Sequence, residues 1–297
     1  MVVVSESLNK VQIPAAQLSS VENTMILTMK FFEVTSKIPL VGSAVKKIIA
    51  LRRTRELKKL TRHFSKYFSP EVAMAEETQA EAFRIRHRVY CEELGYEEPR
   101  SSGLERDDYD TRSLHLLIRN ISSEKYAGTV RLICSSNSNE LLPIEKYCLH
   151  SFYPHGVKPE HFPRDQICEI SRLAVPLDFR KRSTDQHEGA AQGAINRGIY
   201  SETEMRCFPF ITVGLYLEIV AVAERKGIQH FFVMMEPKLA RSAAFLGIKF
   251  QQVGEVVEYH GKRAAYYINL DMFYKNLSTN CEIMLKHLKR VLHMQNF

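Results

Sequence analysis

The chain has 297 residues, of which 45% are hydrophobic and 25% charged, and its formal net charge is +7. This composition is typical of globular proteins and excludes collagen-like, coiled-coil and wholly disordered chains. The longest nearly apolar stretch, residues 211–223, is too short to span a bilayer, and no signal-peptide pattern opens the chain, so we expect a cytoplasmic protein.

The positive charge is concentrated near the N-terminus, where residues 30–68 contain eleven Lys or Arg and only two Glu. Apolar residues recur there at helical spacing, which predicts an amphipathic helix with a basic face. Such a helix packs on its own domain, or contacts an anionic membrane or an acidic protein. We expect a loosely ordered tail at 1–29, this helical extension at 30–70, a main domain at 71–274 and a C-terminal helix at 275–297.

Within the main domain, apolar periodicity first predicts a helix over residues 78–94, which ends at a glycine. Three strands follow, over residues 114–119, 128–134 and 167–175. The polar and glycine-containing residues 178–206 predict a loop.

The second half of the domain begins with a strongly apolar helix over residues 209–226, also followed by a glycine. The remaining predicted elements are a strand (230–235), a helix (237–246), a strand (248–253), a hairpin (256–259 and 264–270) and a helix (281–293). This order predicts an α/β (α+β) fold with a central mixed sheet flanked by helices.

Familiar hydrolase, kinase and metal-binding motifs are missing from the chain. The six cysteines have no CxxC spacing, so we expect reduced thiols and neither a disulfide framework nor a metal site. Polar residues instead form four clusters, at residues 84–96, 105–110, 128–132 and 169–172.

The fourth cluster carries the clearest physical signal. Alternation along a strand would point Glu169 and Ser171 to one face of the sheet, and Ile170 and Arg172 to the other. Buried polar groups of this kind are costly unless they are paired or functional. Taken singly, these residues fit a buried ion-pair network of Arg86, Arg131 and Arg172 with Asp107, Asp110 and Glu169. Taken together, the clusters indicate a functional site.

The same clusters carry a resemblance to a known family. The residues concerned are Arg86, Val89, Tyr90, Gly95 and Tyr96; Glu105, Asp107, Tyr109 and Asp110; Gly128, Arg131 and Leu132; and Glu169, Ser171 and Arg172. In this order and spacing they resemble the acyl-homoserine-lactone synthases, which belong to the GNAT acyltransferase superfamily and are similar to long-chain N-acyl amino acid synthases. Over about residues 75–270, the closest resemblance is to acyltransferases associated with PEP-CTERM/exosortase systems.

The resemblance implies a GNAT-like fold and transfer of a fatty acyl group from a thioester to an amine. Glu169 is the candidate general base, its pKa raised by burial, and Ser171 and Arg172 are the other candidate catalytic residues. A backbone N–H at a bulged strand near Leu173 is expected to polarise the thioester carbonyl. The candidate substrate-binding residues are Arg86, Tyr90, Tyr96, Asp107, Asp110 and Arg131.

No permanently bound cofactor is implied; the acyl donor is an acyl carrier protein thioester or acyl-CoA. The candidate donor-binding residues are Leu173, Val175, Arg180, Lys181 and Arg182. The candidate acyl-channel residues are Phe208, Phe210, Leu215, Phe231 and Met234, any of which also fits an ordinary core position.

The predicted function is therefore an N-acyl amino acid synthase that takes a long-chain fatty acyl group from an acyl carrier protein. Two alternatives to this function remain. The first is an acyl-homoserine-lactone synthase that uses S-adenosylmethionine, but this chain has Tyr96 where those synthases usually carry Trp, which favours an amino acid acceptor. The second is a non-catalytic module that binds a membrane surface or a protein partner through the basic helix, peripheral at the inner face of the membrane. Nucleic-acid binding is not expected, because no recognition motif accompanies the basic residues.

Overall fold

The computed structural model describes residues 64–180, 210–245, 247–258 and 261–297. The strands are β1 (Phe68–Val72), β2 (Ser113–Asn120), β3 (Tyr126–Cys134), β4 (Ile167–Ala174), β5 (His230–Met235), β6 (Gln251–Gln252), β7 (Val257–Glu258) and β8 (Lys262–Asn269). The helices are α1 (Glu76–Arg86), α2 (Pro143–Cys148), α3 (Leu177–Arg180), α4 (Ile211–Lys226), α5 (Pro237–Phe245), α6 (Leu270–Asn276) and α7 (Thr279–His293). None of the described helices is long and apolar enough to cross a membrane.

The strands form one eight-stranded sheet in the order β1-β2-β3-β4-β5-β8-β6, with β7 also paired to β8. Every pairing is antiparallel except that of β4 with β5 in the middle of the sheet. Parallel neighbours require a long crossover connection, and here residues 175–229, including α4, supply it. The sheet therefore contains a single parallel seam at its centre.

One face of the sheet is covered by α4 and α7. Leu116 and Ile118 of β2, and Val130 of β3, pack on this face against the apolar side of α4 in the main hydrophobic cluster. Leu288 of α7 is fully buried in the same cluster. Residues 275–297, expected as a separate C-terminal helix, thus contribute α7 to the main core.

The opposite face is covered by two separate groups of apolar side chains. The first lies under α1, where Ala82 and Ile85 pack on Leu117 of β2. The second lies under α2, where Ile144 packs with Ile133 and Phe232. The polar residues of the candidate site occupy the space between these two clusters.

Most predicted elements are confirmed within one to three residues, and so is the predicted fold class. Alternation and helical periodicity were sufficient signals where an element has one apolar face and one polar face. The predicted helix over residues 78–94 divides into α1 and a π-helical segment, His87–Glu93. The predicted strand at 248–253 is only the two residues of β6. The elements β1, α2, α3 and α6 were not predicted, and α3 includes the first three residues of the predicted loop. Residues 181–206 of the predicted loop lie outside the described residues.

The N-terminal end of the described chain belongs to the sheet and its core. β1 begins at Phe68, ahead of the expected start of the domain at residue 71, and pairs with β2. Phe64 is fully buried and stacks on Phe68 with the ring centroids 4.9 Å apart. A Cβ atom on Gly214 of α4 would lie 2.7 Å from the Phe64 ring, so the glycine is needed for this close packing. The tail at 1–29 and the basic extension up to residue 63 lie outside the described residues.

We expect Phe64→Ala to lower the free energy of unfolding by about 3–5 kcal/mol, because a fully buried aromatic ring is replaced by a cavity. Lys66→Ala is the matched control: Lys66 is exposed on the same turn, and its replacement should change stability by no more than about 0.5 kcal/mol. Urea denaturation measures both. Equal stability of the two variants would show that residue 64 does not belong to the folded domain.

Candidate active site

The site is organised by two irregularities in β4. β4 pairs with the parallel strand β5 only from Ile167 to Glu169, although both strands continue beyond that point. On its other side, β4 contains a bulge: Thr129 pairs with Ala174 and Arg131 with Ser171, so two residues of β4 lie opposite one residue of β3. The two residues of the bulge are Arg172 and Leu173. A bulge disrupts the ladder locally and redirects side chains, and this one lies where β4 and β5 separate.

The bulge overturns the expected orientation of Arg172. Its backbone is left-handed, with φ of 51°, a conformation that is uncommon for residues other than glycine. Because of this turn, the Arg172 guanidinium reaches Glu105 at 3.1 Å, on the same face of the sheet as the Arg131 and Ser171 side chains. The prediction that Arg172 points to the opposite face from Ser171 is therefore wrong, because strict alternation does not hold through a bulge.

Arg86, the last residue of α1, is the centre of a buried ion-pair network. Its side chain is fully buried and forms an ion pair with the equally buried Glu105. It also binds Asp110 through both terminal nitrogens, at 2.7 and 3.2 Å. Asp110 is held in place by a capping box in which its Oδ2 accepts the Asp107 N–H at 2.8 Å.

Arg131 of β3 joins this cluster to β4. Its Nη1 lies 2.6 Å from both Asp107 Oδ1 and Asp110 Oδ1, and its Nε donates to Ser171 Oγ at 3.0 Å. Arg172 extends the cluster outward, with its Nη2 3.0 Å from Glu97 Oε1. The predicted grouping of Arg86, Arg131, Arg172, Asp107 and Asp110 is thus what the structure shows.

Two carboxylates of this cluster, those of Asp110 and Glu105, stay ionised although they are buried. Burial alone would raise the pKa of Asp110, but the Arg86 hydrogen bond and the charges of Arg86 and Arg131 hold it at about 2. Burial opposes ionisation of Glu105 in the same way, and Arg86 and Arg172 nevertheless keep its pKa below the usual range. Four carboxylates, including those of Glu97 and Asp107, contact three guanidinium groups, so the described cluster carries one excess negative charge.

Glu169 lies next to this cluster and is not part of it. Its side chain is on β4 and is 5% exposed. Among the described residues, its only hydrogen-bond donor is the Ile144 N–H in the first turn of α2, at 2.7 Å from Oε2. Burial raises the pKa of Glu169 to about 7, although that hydrogen bond and the charge of Arg131 lower it. The interpretation that includes Glu169 in the ion-pair network is wrong, because no guanidinium of the described residues binds its carboxyl group.

Tyr90 lies beside the bulge, and Tyr96 lies next to Tyr90. The Tyr90 hydroxyl donates to the Leu173 carbonyl at 2.9 Å, and the Arg172 guanidinium lies 5.4 Å from the centre of the Tyr90 ring. Tyr96 follows Gly95, which has φ of 63°, and its N–H donates to the Tyr90 carbonyl at 2.8 Å. The Tyr96 side chain is 37% exposed and lies under the Arg263 guanidinium, 5.9 Å from its ring centre.

The predicted donor-binding residues are only partly described. Leu173 is in the bulge, and Val175, just after β4, is buried in the main cluster. Arg180 forms an ion pair with Glu93 in the π-helical segment. Lys181 and Arg182 lie outside the described residues.

The predicted channel residues do not share one surface. Phe231 lines an apolar cleft on the α4 face of the sheet, together with Ile170 and Tyr216. Leu215 is fully buried in the same cluster and Phe210 packs at its edge. Met234 packs with the cluster on the opposite face, since neighbouring strand positions alternate. Phe208 lies outside the described residues, and the channel as a whole stays a prediction.

Three features of the site were missed in the sequence. Glu105 belongs to a matched motif but was given no role, and no spacing signal marks Glu97. The amide that contacts Glu169 was missed because α2 was not predicted. A signal for α2 exists: Pro143 occupies the first helical position, where proline is favoured, and Glu145 accepts the Leu142 N–H at 2.7 Å.

Comparisons with known proteins agree with this geometry. The family model described as an acetyltransferase (GNAT) domain matches residues 85–188. Curated acyl-homoserine-lactone synthases from Aeromonas hydrophila and Aeromonas salmonicida are each 25% identical to the chain over 179 residues, which is 60% of this chain and 72% of theirs.

Solved structures give the same fold. The CoA-dependent acyl-homoserine lactone synthase BjaI with MTA has a TM-score of 0.51 and 17% identity, covering 75% of this chain and 89% of BjaI. TofI in a ternary complex with an inhibitor and MTA has a TM-score of 0.50 and 16% identity, covering 76% of this chain and 99% of TofI.

The protein is thus an acyltransferase with a GNAT-like fold. Its residues 85–188 are similar to a GNAT acetyltransferase domain, and the chain is homologous to acyl-homoserine-lactone synthases. The sequence resemblance to those synthases and the predicted fold are confirmed at this level.

We expect Asp110→Asn to lower the free energy of unfolding at pH 7 by about 3–5 kcal/mol, because it leaves buried guanidinium charge uncompensated. Folding lowers the pKa of Asp110 to about 2. The stability that Asp110 contributes is therefore fully present above the pKa that it has in the unfolded chain, and is lost as pH falls toward 2. Denaturation across pH 2 to 7 tests this: the variant should lack that part of the acid dependence. Asp108→Asn, at an exposed neighbouring position, is the control, and a similar loss in both variants would contradict the prediction.

Proposed function

We propose that this acyltransferase moves a long-chain fatty acyl group from a thioester donor, an acyl carrier protein or acyl-CoA, to the amine of an amino acid. The observation that carries the proposal is the buried Glu169 carboxyl, whose pKa is raised to about 7 at the place where β4 and β5 separate. Homology to acyl-homoserine-lactone synthases supports acyl transfer to an amine.

Glu169 suits the role of general base. An amine attacks a thioester only when it is unprotonated, and a base works best when its pKa lies near the working pH. The pKa of a carboxyl in the ion-pair network, such as Asp110, is too low for this task. The pKa of Glu169 is not lowered in this way, because its hydrogen-bond partner is the Ile144 amide and not a guanidinium. We assign proton transfer to Glu169, acting directly or through one water.

The bulge in β4 suits the thioester. A bulge leaves a strand residue without its regular ladder partner, and an N–H aimed at the thioester oxygen would stabilise the charge that develops there. Leu173 is the candidate, because Arg172 and Leu173 form the bulge and the Tyr90 hydroxyl holds the Leu173 carbonyl. Arg172 and Ser171 would then position the bulge and contact the acceptor.

Two finer points complete the proposal. Tyr96 stands where the homologous lactone synthases usually carry Trp, and we take this as support for an amino acid acceptor over S-adenosylmethionine. The basic segment at residues 30–70 would contact the carrier protein or the inner face of the membrane, in a cytoplasmic enzyme of a PEP-CTERM/exosortase system. Charge complementarity supports this contact.

We expect Glu169→Gln to lower kcat by about 10²- to 10⁴-fold, the usual contribution of a general base. In the wild-type enzyme, kcat/KM should rise with pH and level off above about 7, as the Glu169 carboxyl loses its proton. Folding raises the pKa of the Glu169 carboxyl. Its contribution to the stability of the wild type therefore falls as pH rises from the pKa of Glu169 in the unfolded chain through 7. The Gln variant should therefore be at least as stable as wild type at pH 8, which separates loss of chemistry from loss of fold.

The control for this variant is Glu160→Gln, at an exposed position away from the site. It should keep wild-type kcat and the wild-type pH profile. Turnover by Glu169→Gln near that of the control would exclude Glu169 as the base.

Mass spectrometry of lipid extracts from cells that express the wild type or Glu169→Gln tests the reaction itself. We expect a series of N-acyl amino acids in the wild-type extract alone, and their masses identify both the acceptor and the chain length. An acyl-homoserine lactone series would replace the proposed acceptor with S-adenosylmethionine. If the two extracts are identical, the purified protein is assayed with acyl-CoA and amino acids. Identical extracts together with no N-acyl product in that assay would contradict acyl transfer to amines.

A further inference from the structure

Arg263 of β8 has no carboxylate partner among the described residues. The three arginines of the ion-pair network each contact at least two carboxylates, whereas Arg263 forms no ion pair with any described residue. Its Nε is buried and has no hydrogen-bond partner within the described part of the chain. A guanidinium that is partly removed from water and unpaired is costly, so its counter-ion is expected to come from a ligand.

Arg263 lies on the same face of the sheet as Glu169. Along β8, Ala264 and Tyr266 pack on the α4 face, and Ala265 and Tyr267 pack on the opposite face. By this alternation Arg263 shares the face of Ala265. The apolar cluster under α2 contains both Ala265 and Ile133. Ile133 is directly opposite Glu169 in the pairing of β3 with β4, so Glu169 points to this face as well.

The register fixes how far apart the two residues are. Glu169 pairs with Phe232 of β5, and Phe232 pairs with Tyr267 of β8, so Arg263 is four residues from the Glu169 row and two strands away. Standard strand spacings then place the two Cα atoms about 16 Å apart. Arg263 lies toward the end where β4 and β5 separate, and an extended Arg and a Glu side chain facing one another there leave room for a small polar molecule.

Electrostatic interactions show that the two groups share one neighbourhood. Burial raises the pKa of the Cys148 thiol to about 11; the charge of Glu169 adds to this increase and the charge of Arg263 opposes it. Arg263 acts together with Arg172 on the Tyr90 hydroxyl, whose pKa burial raises and both arginines lower. Arg263 is therefore close both to the bulge and to the surroundings of Glu169.

We propose that Arg263, which lies over the Tyr96 ring, binds the carboxylate of the amino acid acceptor and thereby presents its amine toward Glu169. This inference rests on the proposed function and specifies which chain residue selects an acceptor that carries a carboxylate. Arginine matches a carboxylate with two parallel N–H donors, and the Arg263 guanidinium lies 5.9 Å from the centre of the Tyr96 ring. The phosphate groups of the acyl donor are the other source of an anion. We assign the carboxylate because Arg263 shares the face of the candidate base.

The test compares acyl transfer to an equimolar mixture of the amino acids with transfer to the same mixture of their methyl esters, read by mass spectrometry of the N-acyl products. We expect wild type to prefer the free acids. Arg263→Gln should raise KM for the preferred amino acid about 10- to 100-fold, the usual effect of losing a charged hydrogen bond. Its kcat, its rate with the esters and its KM for the acyl donor should stay near wild type, and Arg263→Lys should restore part of the affinity.

Lys262→Gln is the matched control, because it removes the same charge at the adjacent exposed position of the same strand, and it should behave as wild type. Three results would overturn the assignment: equal use of acids and esters by wild type, an unchanged preference in Arg263→Gln, or a raised KM for the donor alone, which would point to phosphate. If amides still form efficiently with the esters in any of these three cases, the proposed function stands and only the assignment of Arg263 is overturned. If neither mixture yields an amide, the proposed function and the assignment are both overturned.

Discussion

The left-handed backbone at Arg172 is the constraint on which the site depends. A residue with a side chain pays about 1–2 kcal/mol for this conformation, and such strain persists only where the surroundings hold it. Here Glu97, Glu105 and the Tyr90 ring hold the guanidinium. In return, the bulge moves Arg172 to the face of Arg131, interrupts the ladder beside Leu173 and lies where β4 leaves β5. One backbone irregularity thus sets the position of the Arg172 charge at the place where the two central strands separate.

The ion-pair network and Glu169 show how one sheet keeps carboxyl groups in two protonation states. Desolvation raises the pKa of Asp110 and of Glu169 alike, and the difference lies in the partners. Two guanidinium groups contact Asp110, while Glu169 receives a single neutral amide hydrogen bond. The amide comes from α2, which caps the second apolar cluster on that face. A neutral helix end in place of an arginine is therefore what leaves Glu169 able to exchange a proton near neutral pH.

The sequence predicted the fold and the network members Arg86, Arg131, Arg172, Asp107 and Asp110, because local patterns carry them, whereas it did not assign Glu97 and Glu105 to the network. Periodicity located the strands, and the ordered polar clusters placed Arg86, Asp110 and Arg131 in one site. The register in which the strands pair could not be predicted from local patterns. The bulge depends on the register of β3 against β4, so the side of the sheet that Arg172 faces could not be read from alternation. No sequence pattern marked Arg263, because what distinguishes it is that its Nε has no hydrogen-bond partner among the described residues.

The distribution of charge in the site also argues for the kind of molecule it accepts. The buried part of the network is balanced, and its excess negative charge lies with Glu97 and Asp107, whose side chains are each 27% exposed. An anion is repelled from that edge, and an ammonium group is attracted to it. Arg263 supplies the opposite preference on β8, beyond Tyr96. A molecule with an ammonium group at one end and a carboxylate at the other satisfies both edges at once, whereas an amine without a carboxylate supplies no counter-ion for the Arg263 guanidinium.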